Sequence, residues 1–436
     1  MKNEKRLLDP GIYRVYGPIK LTVVDGSIFH LGRWVSSTET IIVPADETTS
    51  FYIEKPVNIN ITYHTSNQLI SSSEKEEPIL EWRKKANEII SKGYRLVIVL
   101  GETDSGKSSF TGFLANYAFQ NGFQVNIIDS DVGQNDIGYP GCISSVKLTK
   151  TISWLRELHY ERLYFVGSIT PSENIDSVIL GIKYLIEKIR KENSSSIIII
   201  NTDGWIEGIE ARKYKTKLVM SITPDAIVVM TGKGKSSYLY KYFKNMIPCY
   251  LLSTPTIRKI KHRNRRKLRR EISYIDIFLN GKKQAVNIDK TPIVGSLLFS
   301  GSLVSREVIE FFNKNYGIRI LHMEINDNTC IIVLKNPIEV KIIKRYVNKI
   351  KSFLNVNKVV VLCIKDIQGI IVGLLGEKFE HLGIGIVQKI DFQKKILHFI
   401  SSATRENLCI KGIILGNIKI ERDGSETKST TILRYI

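Results

Sequence analysis

The sequence predicts an α/β protein in which helices cover both faces of a parallel sheet, with smaller β-rich domains on either side. Between Tyr94 and residue 253 the chain holds a series of continuous apolar runs, each followed by turn residues: YRLVIVL, FQVNIID, ERLYFVG, SIIIINTDG, DAIVVM and PCYLLS. Helical stretches such as SSFTGFLANYAFQNG and SENIDSVILGIKYLIEKIRKEN separate several of these runs. Apolar strands that alternate with helices are typical of a parallel sheet buried on both faces.

The segments flanking this core follow a different pattern. Near the N-terminus, stretches such as GPIKLTVVDGSIFHLG alternate apolar and polar residues between glycines, which predicts short strands. A polar stretch, TSNQLISSSEKEEP, then predicts a linker, and Pro78 is placed to open a helix. Strand patterns such as KVVVLCIKD return in the C-terminal third. We therefore predict an N-terminal β domain (1–73), a central domain (74–288) and a C-terminal β-rich domain (289–436).

Composition narrows the class of protein. The 436 residues are 43% hydrophobic and 24% charged, which is typical of a folded globular chain. No apolar run reaches the roughly 18–20 residues that cross a bilayer, and the N-terminus lacks the apolar stretch of a secretory signal. We therefore predict a cytoplasmic protein without membrane association. The five cysteines form no C-x-x-C pair, which argues against a zinc knuckle or a disulfide framework.

The chain is strongly basic. Lysine and arginine outnumber aspartate and glutamate by 63 to 43, giving a formal net charge of +20. Such an excess favours a polyanionic partner, because each neutralised phosphate releases counterions. A lysine-rich surface is also a feature of proteins from hot habitats, so charge by itself does not decide for nucleic acid.

A phosphate-binding loop follows the first apolar run of the core. The segment GETDSGKS matches G-x-x-x-x-G-K-[ST], in which backbone N–H groups and a helix N-terminus cradle phosphates. The lysine of this motif reaches the β- and γ-phosphates, and its serine binds Mg²⁺. We therefore predict ATP and Mg²⁺ as cofactors, with a nucleotide-binding set of Gly101, Glu102, Thr103, Asp104, Ser105, Gly106, Lys107, Ser108 and Ser109.

Carboxylates follow the next strand of the core. Asp129 and Asp131 lie at the carboxyl end of FQVNIID, with Gln134 three residues further on. Carboxylates at this end of a parallel strand are placed to hold Mg²⁺ or to meet a nucleophile. A single aspartate there is typical of phosphate-binding-loop proteins, and the second indicates an added role. The alternative is that one aspartate only caps a turn.

Two further segments carry candidate substrate-binding residues. Thr202–Trp205 (TDGW) directly follows SIIIIN. The indole is placed there to stack on a base or sugar, although a lone tryptophan is often a packing residue.

A basic segment, IRKIKHRNRRKLRREI, carries nine lysines and arginines between Arg258 and Arg270. Its helical spacing gives the pairs Arg265/Arg269 and Arg266/Arg270 a shared face each. Such arginines stabilise a transferring phosphoryl group, or form a general RNA-binding helix.

Together these four motifs resemble those of the eukaryotic and archaeal RNA 5′-hydroxyl kinases, a family that includes the kinase subunit of the pre-mRNA cleavage machinery. In that family the phosphate-binding loop is followed by D-x-D-x-G-Q, a clasp T-x-G-W and an arginine lid R-x-x-x-R. This chain has all of them in that order. The segment FVGSITPSENID (165–176) is also similar to the family, and the flanking β domains match its three-domain layout.

The resemblance implies transfer of the γ-phosphoryl group of ATP to the 5′-hydroxyl end of RNA. It favours Asp131 as the group that accepts the hydroxyl proton, and Asp129 with Ser108 as Mg²⁺ ligands, although the residues themselves leave the two aspartate roles exchangeable. Two overlapping lid pairs leave the arginine nearest the phosphoryl group undecided. The implied catalytic residues are Lys107, Asp131, Arg265 and Arg269, and the implied substrate-binding residues are Gln134, Thr202, Gly204, Trp205, Arg266 and Arg270.

Two other functions stay open at this point. One is an ATP-binding scaffold that assembles RNA-processing proteins without phosphorylating anything, and the other is an ATPase switch whose nucleophile is water. The intact motifs favour the kinase. The sequence identifies neither the biological RNA (tRNA halves, rRNA or cleavage fragments) nor a contact to the 2′-hydroxyl that would separate RNA from DNA. It also places no adenine pocket and fixes no oligomeric state.

Overall fold

The computed structural model describes residues 2–45, 47–64, 68–232, 234–256, 263–337, 340–403, 409–421 and 423–428, with backbone alone for residues 263 and 340–345. The chain divides into two compact units. The first comprises residues 1–164 and 170–265, and the second comprises residues 165–169 and 266–436. This division is coarser than the three predicted domains, whose boundaries stay a prediction.

The N-terminal part of the first unit consists of strands, as the alternating pattern predicts. They are β1 (Lys2–Leu8), β2 (Gly11–Tyr16), β3 (Ile19–Asp25), β4 (Ser27–His30), β5 (Arg33–Ser36), β6 (Thr40–Val43), β7 (Thr48–Ile53), β8 (Val57–Tyr63) and β9 (Leu69–Ser72). They form two antiparallel sheets, ordered β1-β8-β3-β6 and β5-β4-β7-β2-β9. Residues of β8 alternate between buried and exposed or partly exposed positions, so one face of the strand enters a shared apolar core.

The central part of the first unit is an α/β core around a seven-stranded sheet. Its strands are β10 (Leu96–Gly101), β11 (Val125–Asp129), β12 (Cys142–Lys147), β13 (Arg162–Phe165), β14 (Ile197–Asn201), β15 (Ala226–Thr231) and β16 (Cys249–Ser253). Its helices are α1 (Ile79–Ser91), α2 (Lys107–Gln120), α3 (Ile175–Glu192), α4 (Ile209–Ile222) and α5 (Ser237–Phe243). Short 3-10 turns occupy Leu155–Glu157 and Pro171–Glu173.

The strand order places the candidate site. It is β13-β12-β11-β14-β10-β15-β16. The five neighbouring strands β11, β14, β10, β15 and β16 run parallel, which confirms the predicted parallel sheet. Strand β12 is antiparallel to β11 and was not predicted, because its serines interrupt the apolar run. Since β10, β14 and β11 are neighbours, their carboxyl ends share one edge, where α/β proteins bind ligands.

The helix that follows the phosphate-binding loop is also held by the N-terminal sheets. The buried Asn116 side chain of α2 donates hydrogen bonds to the carbonyls of Leu31 and Ile152, at 2.8 and 2.7 Å. The turn at Gly32 lies so close to α2 that a Cβ there would be 2.0 Å from the Phe113 carbonyl oxygen. The N-terminal β region therefore fixes the helix that carries the loop.

The second unit is β-rich, as predicted, with helices that the sequence analysis did not foresee. After α6 (Arg263–Asn280), which begins in the first unit, come β17 (Lys282–Asn287), β18 (Ile293–Val294), β19 (Ser302–Leu303), α7 (Arg306–Tyr316), β20 (Ile320–Asn326), β21 (Thr329–Leu334), α8 (Val340–Leu354), β22 (Lys358–Cys363), α9 (Ile364–Ile367), β23 (Ile370–Leu375), a 3-10 turn (Glu377–Phe379), β24 (His381–Asp391), β25 (Ile396–Ser401), β26 (Gly412–Ile420) and β27 (Glu426–Lys428). The sheets are β17-β25-β24-β23-β26-β18, with β27 on β26, and β19-β20-β21-β22.

Within the parts of the chain that the structure describes, no helix combines the length and apolar character needed to cross a bilayer. The cytoplasmic location stays a prediction.

Candidate active site

The phosphate-binding loop lies between the end of β10 and the start of α2, as its motif predicts. Gly106 precedes the helix with φ of +88°, a left-handed conformation that glycine adopts without a steric penalty. The loop therefore turns sharply into α2, whose first N–H groups are free of helical partners and carry partial positive charge. This geometry suits a phosphate group.

Lys107 is the cation of this loop. Its side chain is buried, and Nζ donates a hydrogen bond to the Glu102 carbonyl across the loop at 2.8 Å. Burial lowers its pKa to about 8, and the carboxylate of Asp131 acts in the opposite direction. The Lys107 ammonium group and the Asp131 carboxylate therefore attract each other, as expected for a phosphate-binding cation beside a group that accepts a proton.

Asp129 is completely buried and accepts several hydrogen bonds. Its Oδ2 accepts from the N–H of Asp136 at 2.7 Å, and its Oδ1 accepts from the N–H of Asp131 at 3.2 Å. Burial, with the neighbouring Asp136 and Asp131 carboxylates, raises the pKa of Asp129 well above its ordinary value. A cation that binds beside this carboxylate would stabilise its ionised form.

Asn201 joins the two residues that were predicted to bind Mg²⁺, and the sequence analysis missed it. It ends β14, level with Asp129 on one neighbouring strand and Val99 on the other. Its Nδ2 donates to Asp129 Oδ1 at 3.0 Å and lies 3.3 Å from the Ser108 hydroxyl oxygen. Its Oδ1 is buried without a hydrogen-bond partner among the described residues. The polar end of an otherwise apolar strand was the available signal.

The Asp129–Ser108 pair fits a Mg²⁺ ion. Both groups offer hard oxygen ligands, and Mg²⁺ in nucleotide sites uses one or two protein oxygens besides phosphate oxygens and water. The buried Asn201 Oδ1, which has no hydrogen-bond partner among the described residues, adds a further oxygen acceptor beside them.

Asp131 lies just beyond β11 and is half-buried. Its Oδ1 accepts hydrogen bonds from the N–H groups of Gly133 and Gln134, at 3.1 and 3.0 Å, which fixes the carboxylate in a turn. Burial raises its pKa to about 6, the carboxylate of Asp203 adds to this, and Lys107 opposes it. The Gln134 side chain donates to the Gly133 carbonyl at 2.5 Å.

The clasp packs directly onto the phosphate-binding loop. The buried Thr202 hydroxyl donates to the Val99 carbonyl at 2.7 Å, which fastens the clasp to β10. A Cβ at Gly204 would lie 2.6 Å from the Thr103 nitrogen and 2.7 Å from its Cα. The glycine of T-x-G-W is therefore required because the clasp and loop backbones meet there.

Gly204→Ala is expected to displace the loop. The added methyl group cannot fit against the Thr103 backbone, and a shift of about 1 Å in a positioning element costs on the order of a hundredfold in rate. We expect kcat/KM for ATP to fall by about that factor. Gly112→Ala in α2 is the matched control, since a Cβ there makes ordinary contacts of 3.5 Å and longer. Equal kinetics for the two variants would contradict the packing argument.

A buried charged cluster lies beneath the clasp tryptophan. Asp203 Oδ2 accepts hydrogen bonds from Lys215 Nζ at 2.8 Å and from the Tyr214 hydroxyl at 2.7 Å. Asp203 Oδ1 accepts from the backbone N–H of Trp205 at 2.9 Å, and the Trp205 and Tyr214 rings stack with centroids 5.6 Å apart. Sequence analysis missed this cluster, although a lysine within the apolar face of α4 was a visible signal.

The basic segment is described in part. Residues 257–262 and the side chain of residue 263 lie outside the described set, and α6 begins at residue 263. Arg270 makes a two-pronged ion pair with Glu426 of the same unit, with N–O distances of 2.6 and 2.9 Å. Arg265 belongs to the first unit, whereas Arg266 and Arg269 belong to the second. The lid roles of all four arginines stay predictions.

Fold and loop define the class of protein: a P-loop nucleotide-binding domain, with a mostly parallel sheet, a phosphate-binding loop and acidic residues at one edge. Residues 101–275 match the family described as mRNA cleavage and polyadenylation factor CLP1 P-loop. The central region of the chain is therefore similar to the CLP1 P-loop family, which confirms the resemblance predicted from the four motifs.

Curated relatives extend this similarity beyond the central region. A polyribonucleotide 5′-hydroxyl-kinase of Methanocaldococcus jannaschii is 29% identical over 331 residues, which covers 76% of this chain and 88% of that protein. A polyribonucleotide 5′-hydroxyl-kinase of Pyrococcus furiosus is 29% identical over 333 residues, covering 76% and 89%. Among solved structures, Clp1p in complex with Pcf11p (454–563) superposes with a TM-score of 0.64 at 13% identity, covering 96% of this chain and 98% of that chain. The last comparison shows a shared fold.

Proposed function

We propose that this protein is an ATP-dependent kinase that transfers the γ-phosphoryl group to the 5′-hydroxyl end of RNA. One observation carries the proposal: the phosphate-binding loop, the Asp129–Asp131 turn and the clasp meet at one edge of the sheet, with Gly204 packed on the loop. The similarity to polyribonucleotide 5′-hydroxyl-kinases over most of their length supports it.

The nucleotide is held by the loop. Backbone N–H groups of residues 101–106 and the α2 N-terminus bind the phosphates, and Lys107 supplies the positive charge for the β- and γ-phosphates. Ser108 and Asp129 are the proposed Mg²⁺ ligands. When bound, that ion neutralises phosphate charge and orients the γ-phosphoryl group.

The acceptor is held by Asp131. Its carboxylate accepts a hydrogen bond from the RNA 5′-hydroxyl and orients the oxygen in line with the bond to be broken. The 5′-oxygen forms a bond to the γ-phosphorus while the bond to the β-phosphate oxygen breaks and ADP leaves. The hydroxyl proton passes to Asp131 late in this step, since a loose transition state needs little base strength.

The RNA end is recognised by the clasp. Trp205 is half-buried, so part of its indole remains exposed for stacking on a terminal base or sugar. The net charge of +20 favours binding of the phosphate backbone.

Gln134 is proposed to contact the acceptor nucleotide. The lid arginines are proposed to contact the transferred phosphoryl group or the RNA; they are Arg265, Arg266, Arg269 and Arg270. By analogy with the Clp1p–Pcf11p complex, other RNA-processing proteins are proposed partners.

Dependence of ATP turnover on the acceptor separates this function from its alternatives. ADP release is measured with no RNA, with an oligoribonucleotide bearing a 5′-hydroxyl, and with the same sequence bearing a 5′-phosphate. A kinase releases ADP stoichiometrically with the 5′-hydroxyl strand alone. A water-dependent ATPase turns over in all three reactions, and a scaffold binds ATP without turnover. The corresponding DNA strand measures the sugar preference.

Asn201→Leu tests the link between Asn201 and the metal ligands. The leucine retains the side-chain volume but cannot donate to Asp129 or Ser108, so both ligands lose a fixed partner. Loss of such a supporting contact typically costs about 10–100-fold in metal affinity. We expect the Mg²⁺ concentration for half-maximal ATP turnover to rise by about tenfold or more. Asn126→Leu, at another buried position of the same sheet, is the control. Unchanged Mg²⁺ dependence would refute the link.

A further inference from the structure

We propose that Lys215 is a positioning residue: by anchoring Asp203 it fixes the indole of Trp205, and so sets the affinity of the site for the terminal nucleotide of RNA. The inference rests on the proposed function, because it assigns Trp205 to the RNA end. Lys215 lies outside the four motifs, one turn and a half along the helix that follows the clasp.

The position of Lys215 in its helix is unusual for a lysine. The buried face of α4 consists of Ala211, Tyr214, Leu218, Val219 and Ile222, together with Lys215 itself. Its side chain has no exposed surface, so its charge gains nothing from solvent. A lysine is rarely buried without a charged or polar partner, because removing an ammonium group from water is costly. The partner of Lys215 therefore indicates the role of this lysine.

That partner is the second residue of the clasp. Lys215 Nζ donates to the Asp203 carboxylate at 2.8 Å and also to the Asp203 backbone carbonyl at 3.0 Å. The two bonds hold both the side chain and the main chain of one residue. Asp203 thus has a fixed orientation between Thr202, which is bonded to β10, and Gly204, which packs on the phosphate-binding loop.

Asp203 transmits this anchoring to the tryptophan. Its Oδ1 accepts a hydrogen bond from the backbone N–H of Trp205 at 2.9 Å, which sets the direction in which the chain leaves the clasp. The indole then stacks on the Tyr214 ring at an interplanar angle of 23°. Burial and the Asp203 carboxylate raise the pKa of Tyr214 well above its ordinary value, so its hydroxyl stays a donor to Asp203. One face of the indole is occupied by Tyr214, which is buried, and the partly exposed remainder is what an RNA base meets.

The energetic consequence follows from preorganisation. Stacking on an aromatic side chain is worth on the order of five- to a hundredfold in affinity per base. That gain is realised when the ring is already fixed, because an unfixed ring must lose conformational freedom on binding. Removal of the anchor should therefore weaken RNA binding and leave ATP binding at the loop nearly unchanged.

The experiment compares Lys215→Met, Trp205→Ala and their double variant. The affinity for a 3′-fluorescein oligoribonucleotide with a 5′-hydroxyl is measured by anisotropy with a non-hydrolysable ATP analogue present, and KM values for RNA and ATP are measured by transfer. We expect Lys215→Met to raise the Kd and KM for RNA about tenfold, with KM for ATP within about twofold. In the Trp205→Ala background, Lys215→Met should add little, because both changes remove one interaction.

Two further variants separate positioning from folding. Lys213→Met removes an exposed lysine from the same helix and should leave RNA affinity unchanged. Lys215→Met leaves Asp203 buried without its cation, so Asp203→Asn/Lys215→Met, which buries neither charge, is compared by thermal unfolding. We expect this pair to fold like the wild type and still bind RNA about as weakly as Lys215→Met.

The outcomes distinguish this inference from the proposed function. Unchanged RNA affinity in Lys215→Met, additive losses with Trp205→Ala, or recovery of wild-type binding in the double-neutral variant would each overturn the role of Lys215. Absence of transfer by the wild type would overturn the kinase instead, and the anisotropy series would still decide whether Lys215 positions an RNA-binding tryptophan.

Discussion

Asp131→Asn is expected to lower kcat for RNA phosphorylation by about a hundred- to a thousandfold, while the KM for ATP changes little. The amide keeps the shape of the carboxylate, and one oxygen can still accept from the Gly133 and Gln134 N–H groups. What is lost is the ability to take the 5′-hydroxyl proton, which is worth about 10²–10⁴ in rate. Single-turnover transfer measures the chemical step directly.

The pH dependence of kcat/KM provides an independent readout of the same residue. Burial and Asp203 raise the pKa of Asp131 to about 6, so the acceptor is protonated, and inactive, below that pH. The wild-type rate should therefore rise with pH through a midpoint near 6. Asp131→Asn should lack this limb. Asp225→Asn, which alters a carboxylate bonded to the start of β10, should keep it. A limb retained in Asp131→Asn would assign the titration to another group.

Lys107→Ala is expected to lower kcat/KM for ATP by about a hundred- to a thousandfold. The buried ammonium group is the cation of the loop, and charge placed at a developing phosphoryl transition state is worth about 3–4 kcal/mol. The fold should persist, since the side chain's described hydrogen bond is to a single carbonyl, that of Glu102. Steady-state kinetics with varied ATP, together with thermal unfolding, measure both effects.

Two comparisons sharpen this prediction. Lys85→Ala removes a partly exposed lysine that pairs with Glu88 on α1, and should retain full activity because exposed pairs contribute little. Lys107→Arg keeps the charge but not the compact ammonium shape, so it should recover only part of the loss. A Lys107→Ala enzyme with wild-type kinetics would contradict the assignment of the loop.

The sheet could be predicted because most of its strands are continuous apolar runs in the sequence. Strands β10, β11, β14, β15 and β16 read as continuous apolar runs, and all of them are parallel neighbours in the structure. Strand β12 was not predicted because Ser144 and Ser145 are polar, although both are completely buried in the structure. The Ser144 hydroxyl is satisfied by Asn135, a partner that the local sequence does not reveal.

The candidate site could be predicted where its residues belong to contiguous motifs. The loop, the Asp129–Asp131 turn and the clasp have fixed spacings, and the strand order brings them to one edge. Thr202 was assigned to the substrate through the motif, and the structure adds a hydrogen bond from its hydroxyl to β10. Its contact with substrate stays a prediction.

The residues that sequence reasoning missed act across the fold. Asn201 lies beside Asp129 and Ser108 because β14 pairs with both β10 and β11. No single segment of the sequence reveals the order of strands in the sheet. Lys215 is recognisable as unusual on the apolar face of α4, but its pairing with Asp203 depends on how the helix packs back on the sheet. Helices α7 and α8 were not predicted, although the apolar residues of both segments recur at helical spacing in the sequence.

Transfer of label from γ-³²P-ATP to RNA tests the central claim most directly. An oligoribonucleotide with a 5′-hydroxyl is incubated with the wild-type protein, ATP and Mg²⁺, beside the same strand bearing a 5′-phosphate. The account predicts label on the 5′-hydroxyl strand alone, removable by a phosphatase and lost with Lys107→Ala and Asp131→Asn. Tight ATP binding with no label on either strand would contradict the kinase and leave an ATP-bound scaffold as the function of this site.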